Sequence, residues 1–311
     1  MSDPLVWLPF DPSELGEVPA GLRYEVVDPV DGDVPDSVAD VAFYVPPYRV
    51  GPELTAVLPR MASLEVIQTL TAGVDNFAGQ VPDGVTLCRG AGIHDTSTAE
   101  LTLALVLAAQ RDIPDFVRAQ QRHAWAGQWH RSLADSRVLL IGHGAIGRAI
   151  EARLQPFETT ITRVARTARD GVHSFAELPD LLPEADVVIL IVPLTEETRG
   201  LVDAAFLDRM REGALLVNVA RGPVVVTDDL VAALQARRVR AALDVVDPEP
   251  LPSDSPLWEA PGVLITPHVG GLSAAMWPRA YRVVGEQLRR YAAGEPLEHV
   301  MAANGYSLDP R

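Results

Sequence analysis

Three side chains capable of acid–base and anion-binding chemistry lie a few residues past the ends of three successive predicted strands. They are Arg221, Glu249 and His268. An imidazole exchanges protons near neutral pH, a carboxylate can orient it and favour its charged form, and a guanidinium binds anionic groups. Each of these residues alone is usually structural or solvated. Their order behind a glycine-rich turn favours a catalytic site at one edge of a parallel sheet.

That turn contains Gly142, Gly144 and Gly147, which fit the pattern G-x-G-x-x-G. A run of four apolar residues, 138–141, precedes it and a helical pattern, 148–154, follows it. The first glycine permits the tight turn, the second lets the backbone approach a pyrophosphate, and the third lets helix and strand pack closely. The N-terminus of the helix then faces the phosphates with unpaired N–H groups. We therefore predict a dinucleotide site, the alternative being a tight turn without a ligand.

The second strand of this unit ends in Arg166, Thr167 and Arg169, and no acidic residue occurs before Asp170. An acidic side chain here would bind the ribose 2′-hydroxyl of NAD, whereas an arginine pairs with the 2′-phosphate of NADP. The sequence predicts that NADP(H) is preferred and that NAD(H) is possible. The alternative is that the two arginines only solvate a loop.

The composition excludes several classes of function. The chain has 311 residues, enough for about two domains, and a formal net charge of -16, which disfavours nucleic acid and anionic membranes as partners. All 26 basic residues are arginines, so a Walker lysine and Schiff-base chemistry are excluded. The single cysteine, Cys88, cannot form an intrachain disulfide or a cysteine zinc site, and we predict no metal. We expect a buried Cys88 and a cytoplasmic location, since we find no signal peptide and no apolar run long enough to span a membrane.

The periodicity predicts an α/β fold of two domains, Rossmann-like or flavodoxin-like, each with a parallel, doubly wound sheet. The predicted strands are 6–10, 24–27, 42–45, 65–70 and 85–88 in the first domain, and 138–141, 160–164, 187–192, 214–219, 241–246 and 263–266 in the second. The predicted helices include 51–61, 96–110 with a Ser97 cap, 116–129 and 273–293. We expect the last helix to return to the first domain. The predicted domains are therefore 1–93 plus 275–311, which is discontinuous, and 94–274.

On these motifs the sequence resembles the D-isomer-specific 2-hydroxyacid dehydrogenases over nearly the whole chain, best over 90–277. Further matching stretches are 71–75, Thr-Ala-Gly-Val-Asp, and 192–198, Val-Pro-Leu-Thr-Glu-Glu-Thr. The stretch around Arg166 and Arg169 resembles the glyoxylate/hydroxypyruvate reductase branch, which prefers NADP.

The resemblance implies reduction of a small 2-keto acid, such as glyoxylate or hydroxypyruvate, to a D-2-hydroxy acid. His268 would donate the proton, Glu249 would orient the imidazole, and Arg221 would bind the substrate carboxylate. The backbone of Ala72, Gly73 and Val74 in the discontinuous substrate domain would hold the other carboxylate oxygen. The expected substrate-binding residues are therefore Ala72, Gly73, Val74, Arg221 and His268.

The resemblance also implies a set of cofactor-binding residues in the dinucleotide-binding domain. They are Gly142, Gly144, Ala145, Ile146, Gly147, Arg166, Thr167, Arg169, Pro193, Thr198, Ala220, Asp244 and Gly270. Asp244 could instead be an ordinary acidic residue at a strand end, and Trp277 either lines the substrate site or packs in the core. His94 and His130 are expected at the surface or at an interface, and His143 receives no role.

Two alternatives stay open at this point. One is an NAD-dependent dehydrogenase of a phosphorylated 2-hydroxy acid, and the other is a non-catalytic, dinucleotide-sensing protein like the corepressors of this fold. The apolar helix over 101–109 and the resemblance both predict a homodimer formed through the nucleotide-binding domain.

Overall fold

A computed structural model describes residues 3–30, 32–48, 53–77 and 79–302. The chain divides into two compact units, Met1–His94 with Ala274–Arg311, and Asp95–Ser273. We call them the first and the second unit. Their limits differ by one residue at each boundary from the domain ranges predicted from the sequence.

The first unit begins with a five-stranded parallel sheet. Its elements before the second unit are β1 (Leu5–Leu8), β2 (Arg23–Val26), β3 (Val41–Tyr44), α1 (Glu53–Ala56), β4 (Val66–Gln68) and β5 (Thr86–Cys88). The strand order is β2-β1-β3-β4-β5, and every pair is parallel. This is the flavodoxin-like, doubly wound order.

The second unit contains a seven-stranded sheet. Its elements are α2 (Asp95–Gln110), α3 (Ile113–Gln121), β6 (Arg137–Ile141), α4 (Ala145–Leu154), β7 (Thr160–Ala165), β8 (His173–Ser174), α5 (Leu178–Leu181), β9 (Val187–Leu190), α6 (Ala204–Arg209), β10 (Leu215–Asn218), α7 (Thr227–Gln235), β11 (Arg240–Leu243) and β12 (Val263–Ile265). The order β12-β11-β10-β9-β6-β7-β8 is that of a Rossmann sheet with one added edge strand. The predicted fold class, with parallel doubly wound sheets, is confirmed.

The order of this sheet reverses between β6 and β9, and ligands of such sheets bind beyond the carboxyl ends of the strands near that point. The central strands β6, β9 and β10 are buried almost throughout, as expected for parallel strands covered on both faces. The edge strand β8 was not predicted because its two residues, one of them a histidine, carry no hydrophobic pattern.

Three predictions of local structure are wrong in part. Helix α2 begins at Asp95, so Ser97 lies inside its first turn and is not its cap; its hydroxyl lies 2.7 Å from the Ser273 hydroxyl. Helix α3 covers Ile113–Gln121 and not 116–129, because Pro114 is tolerated in a first turn, where no helical partner for its N–H is needed. Within 51–61, α1 gives way to a 3-10 turn, Leu58–Arg60, and 51–52 lie outside the described residues.

The last helix, α8 (Met276–Ala293), belongs to the first unit. Its residues Met276, Ala280, Val284 and Leu288 recur every fourth position and are buried in one cluster with residues of the first sheet. It starts three residues later than predicted, and this apolar stripe is the sequence signal that ties it to the sheet. Among the described residues, no helix combines the length and the apolar composition needed to cross a bilayer.

Candidate active site

The glycine turn between β6 and α4 is tight on one side and open on the other. A Cβ at Gly142, whose φ is 109°, would lie 2.2 Å from the Ile191 carbonyl oxygen, and one at Gly147 would lie 2.2 Å from the Gly142 oxygen. Any larger side chain is therefore excluded at both positions. A Cβ at Gly144 would meet nothing within 4 Å.

Gly144 is the N-cap of α4, and Ala145 and Ile146 are its first two residues. The N–H groups of a first helical turn have no helical acceptor and lie at the positive end of the helix dipole. An open approach to these groups over a residue without a side chain fits the pyrophosphate of a dinucleotide.

The end of β7 carries the residues predicted to select the dinucleotide. Arg166, Thr167 and Arg169 are all exposed. Arg169 donates from Nη2 to the backbone oxygen of His143 at 3.0 Å, which brings its guanidinium to the glycine turn. An exposed guanidinium beside this turn fits the 2′-phosphate of NADP, which an arginine binds by charge-assisted hydrogen bonds.

After β9, the segment 193–198 is fixed by one buried hydroxyl. Thr198 donates from Oγ1 to the Pro193 oxygen at 2.6 Å and accepts from the Thr195 amide at 2.9 Å. The side chain of Thr198 therefore stabilises this turn by bonding to two of its backbone groups. Contacts of Pro193 and Thr198 with the cofactor stay predictions.

His268 and Glu249 form a direct pair in the second unit. Nδ1 of His268 lies 2.7 Å from Oε2 of Glu249, while Oε1 of Glu249 accepts from the Val246 amide at 3.0 Å. Burial opposes ionisation of Glu249, but the hydrogen bonds from His268 and Val246 and the charges of His268 and Arg221 outweigh it and hold the pKa of this carboxyl below its usual value. The pair leaves Nε2 of His268 as the nitrogen available for proton transfer.

Arg221 is placed by a side chain that sequence reasoning missed. Asn218 is buried at the end of β10; it donates from Nδ2 to the Arg221 oxygen at 3.0 Å and accepts at Oδ1 from the Ala220 amide at 3.1 Å. The next residue, Gly222, packs so closely that a Cβ there would lie 1.8 Å from the Val246 oxygen. A polar residue among the valines of a buried strand was the available signal. The Arg221 loop is thus fixed against the loop that leads to Glu249.

Asp244 fixes the loop that carries His268. Its side chain is 3% exposed; Oδ1 accepts from the Thr266 hydroxyl at 2.6 Å and the Val269 amide at 2.9 Å, and Oδ2 accepts from the Gly270 amide at 2.9 Å. A Cβ at Gly270 would lie 2.9 Å from Oδ2, so a side chain there would displace this carboxylate. Asp244 therefore positions the loop on both sides of His268, whose φ of 53° lies in the left-handed region. Its predicted contact with the cofactor, and those of Ala220 and Gly270, stay predictions.

The first unit holds the predicted carboxylate-binding turn. Thr71 donates from its hydroxyl to the Gly73 oxygen at 2.7 Å, and the Val74 oxygen accepts from the Phe77 amide at 2.9 Å. Across the part of the chain that the structure describes, the amides of Ala72, Gly73 and Val74 donate no hydrogen bond. They can bind an oxyanion, and this role stays a prediction.

The remaining candidates have structural contacts. His94 is buried, with Nε2 2.7 Å from the Leu70 oxygen, so its predicted surface position is wrong. Nδ1 of His130 lies 2.7 Å from a carboxylate oxygen of Asp112. Trp277 stacks on Tyr281 with ring centroids 5.6 Å apart, which favours the packing alternative. Cys88 is buried, as predicted. Within the described ranges, no group of three histidine, cysteine or acidic residues could hold a metal ion.

The chain is similar to known proteins in sequence and in fold. Residues 103–270 match the family described as D-isomer specific 2-hydroxyacid dehydrogenase, NAD binding domain. Glyoxylate reductase/hydroxypyruvate reductase of Homo sapiens is 32% identical over 262 residues, which cover 76% of each chain.

Two solved structures are similar over their full length. The D-isomer specific 2-hydroxyacid dehydrogenase of Xanthobacter autotrophicus Py2, in complex with NADPH and MES, is 32% identical with a TM-score of 0.83, covering 98% of this chain and 100% of that one. The NADPH-dependent glyoxylate/hydroxypyruvate reductase of Sinorhizobium meliloti, in complex with NADP and malonate, is 25% identical with a TM-score of 0.80, covering 100% of both chains.

Proposed function

Because this chain belongs to the D-isomer specific 2-hydroxyacid dehydrogenase family, we propose that it reduces small 2-keto acids, with glyoxylate and hydroxypyruvate as leading substrates, and prefers NADPH. The observation that carries the proposal is the 2.7 Å hydrogen bond between His268 and Glu249, with the charge of Arg221 acting on the same carboxylate. The product is a D-2-hydroxy acid. The relatives with NADP bound favour this function over a phosphorylated substrate or a sensor protein.

Each of the three side chains has one task in the reaction. NADPH, when bound, supplies the hydride that reduces the keto carbon. His268 donates a proton from Nε2 to the keto oxygen, so that the hydride and the proton together complete the alcohol. Glu249 accepts a hydrogen bond from Nδ1–H of His268, which fixes the ring and stabilises its charged form. Arg221 binds the substrate carboxylate and polarises the keto group, and its planar fork suits a carboxylate better than a point charge would.

The test is a matrix of substrates and cofactors. We expect turnover of glyoxylate and hydroxypyruvate, followed by loss of nicotinamide absorbance, with a higher kcat/KM for NADPH than for NADH. The Arg166→Ala variant should lose more affinity for NADPH than for NADH, because only NADPH carries the 2′-phosphate. Equal losses for the two cofactors would contradict the assignment of Arg166, and turnover of neither keto acid would contradict the substrate class.

We also propose that the second unit forms a homodimer, and its surface supports this. Trp125 and Trp129 are fully exposed, at 103% and 101%, in the segment after α3. On α2, Leu101, Ala104 and Ala108 lie at helical spacing and are exposed or half-exposed. Covering two tryptophans and an apolar stripe with a second copy is favourable. Sedimentation should give a dimer that Trp125→Ser with Trp129→Ser weakens; a monomer at all concentrations would contradict it. The cytoplasmic location predicted from the sequence stays a prediction.

A further inference from the structure

His143, to which the sequence assigned no role, lies between the first two glycines of the turn. Its side chain is paired with a carboxylate. Its Nε2 lies 2.6 Å from Oε2 of Glu151 on α4, and the two side chains are only 12% and 11% exposed. Glu151 also accepts two hydrogen bonds from Arg163 on β7, that from Nε at 2.7 Å. The hydrogen bonds from Arg163 and His143 keep the pKa of Glu151 below its usual value, although burial opposes this. The bond from Arg163 has the larger effect.

The same imidazole contacts one of the arginines predicted to select NADP. Nη2 of Arg169 lies 3.0 Å from the His143 backbone oxygen and 3.4 Å from its Nδ1. A guanidinium has only donors, so Nδ1 must be the acceptor in this contact. A ring that accepts at Nδ1 donates from Nε2, and Glu151 is placed to accept that hydrogen bond.

These contacts form one chain of side chains from the sheet to the cofactor turn. Arg163 on β7 donates to Glu151, and Glu151 pairs with the His143 ring. Nδ1 of that ring lies 3.4 Å from Nη2 of Arg169, which also donates to the His143 backbone oxygen at 3.0 Å. Among the residues that the structure describes, Nε and Nη1 of Arg169 donate no hydrogen bond. The guanidinium is thus fixed through one nitrogen, while its other N–H groups stay available at the turn.

We propose that His143, supported by Glu151, is a positioning residue that sets the preference for NADPH by fixing Arg169 for the 2′-phosphate. An arginine side chain loses much conformational freedom when it binds an anion, and here part of that loss has already occurred before binding. NADH has no 2′-phosphate, so the benefit is specific to NADPH. This inference rests on the proposed function and deepens it, because it names a residue that selects the cofactor.

Direct binding of NADPH and NADH, measured by nicotinamide fluorescence without substrate, tests the proposal. His143→Leu should weaken NADPH binding about three- to tenfold, the range of an ordinary lost hydrogen bond, and change NADH binding less than about twofold. His143→Gln, whose amide can still donate to Glu151, should retain more of the affinity for NADPH. His130→Leu is the matched control: Nδ1 of His130 lies 2.7 Å from a carboxylate oxygen of Asp112 in the same unit, and the change should alter neither affinity.

A double-mutant cycle with Arg169→Ala separates positioning from direct contact. If His143 acts through Arg169, His143→Leu should add little once Arg169 is removed. Additive losses, equal losses for the two cofactors, or no loss in His143→Leu would each overturn the proposal. So would nitrogen NMR of the folded protein showing the proton on Nδ1 of His143. A wild-type protein that binds NADPH no better than NADH would instead overturn the NADP preference of the proposed function, whatever the variants do.

Discussion

Replacing Glu249 by Gln removes the charge beside His268 while keeping the shape of the side chain. Oε1 of residue 249 accepts from the Val246 amide, so the glutamine oxygen should keep that place. The amide NH2 would then face Nδ1 of His268, which must become an acceptor. The variant therefore favours the neutral imidazole, whereas reduction requires the imidazolium as the proton donor.

The size of the effect follows from the exposure of the pair. A hydrogen bond to a charged group contributes about 1.5–3 kcal/mol. The side chains of His268 and Glu249 are 35% and 32% exposed, so solvent screening reduces the contribution to about 1 kcal/mol. That is about 0.7 of a pH unit. We expect the pH at which reduction falls by half to move down by about this amount, and kcat near neutral pH to fall by up to about fivefold.

The assay is the pH profile of kcat for reduction and for oxidation. Since the pKa of Glu249 lies below its usual value, this carboxylate stays ionised throughout a neutral to alkaline profile, and the change cannot come from its own titration. Oxidation uses the neutral imidazole as the base, so its profile should extend to lower pH in the variant. Glu177→Gln removes the charge of the similar His173–Glu177 pair and should move neither profile. Unchanged profiles in Glu249→Gln would refute the role of the pair.

Further changes test the parts around this pair. Arg221→Lys keeps the charge but loses the fork, so kcat/KM for the keto acid should fall about 10- to 100-fold in steady-state assays; an unchanged value would contradict carboxylate binding. Asp244→Asn places an NH2 against the Gly270 amide, so urea denaturation should show a loss of about 1–3 kcal/mol in the free energy of unfolding. Burial raises the pKa of the Cys88 thiol to about 12, so it should react with a thiol reagent at pH ~8 only after denaturation.

Periodicity and the glycine spacing were enough to predict every strand of the two sheets except β8, and the turn at Gly142. This succeeded because parallel strands buried on both faces are continuous apolar runs, and because only glycine fits where a Cβ would lie 2.2 Å from a carbonyl oxygen. Helix limits were less accurate. Ser97 and Glu100 have the spacing of a capping box, yet the chain folds into α2 before them, and the Ser97 hydroxyl bonds to Ser273, 176 positions away. A contact at that separation leaves no local signal.

For this protein the sequence alone determined the order and the types of the reactive residues. They are an arginine, a glutamate and a histidine, and each follows a strand that is recognisable from its hydrophobic residues. The tertiary structure decided what holds them. Asn218 and Asp244 fix the loops of Arg221 and His268, and Glu151 joins a sheet residue to His143 and so to Arg169. Buried polar groups such as these must find partners, but which partners they find depends on how distant strand ends meet, and no local pattern encodes that.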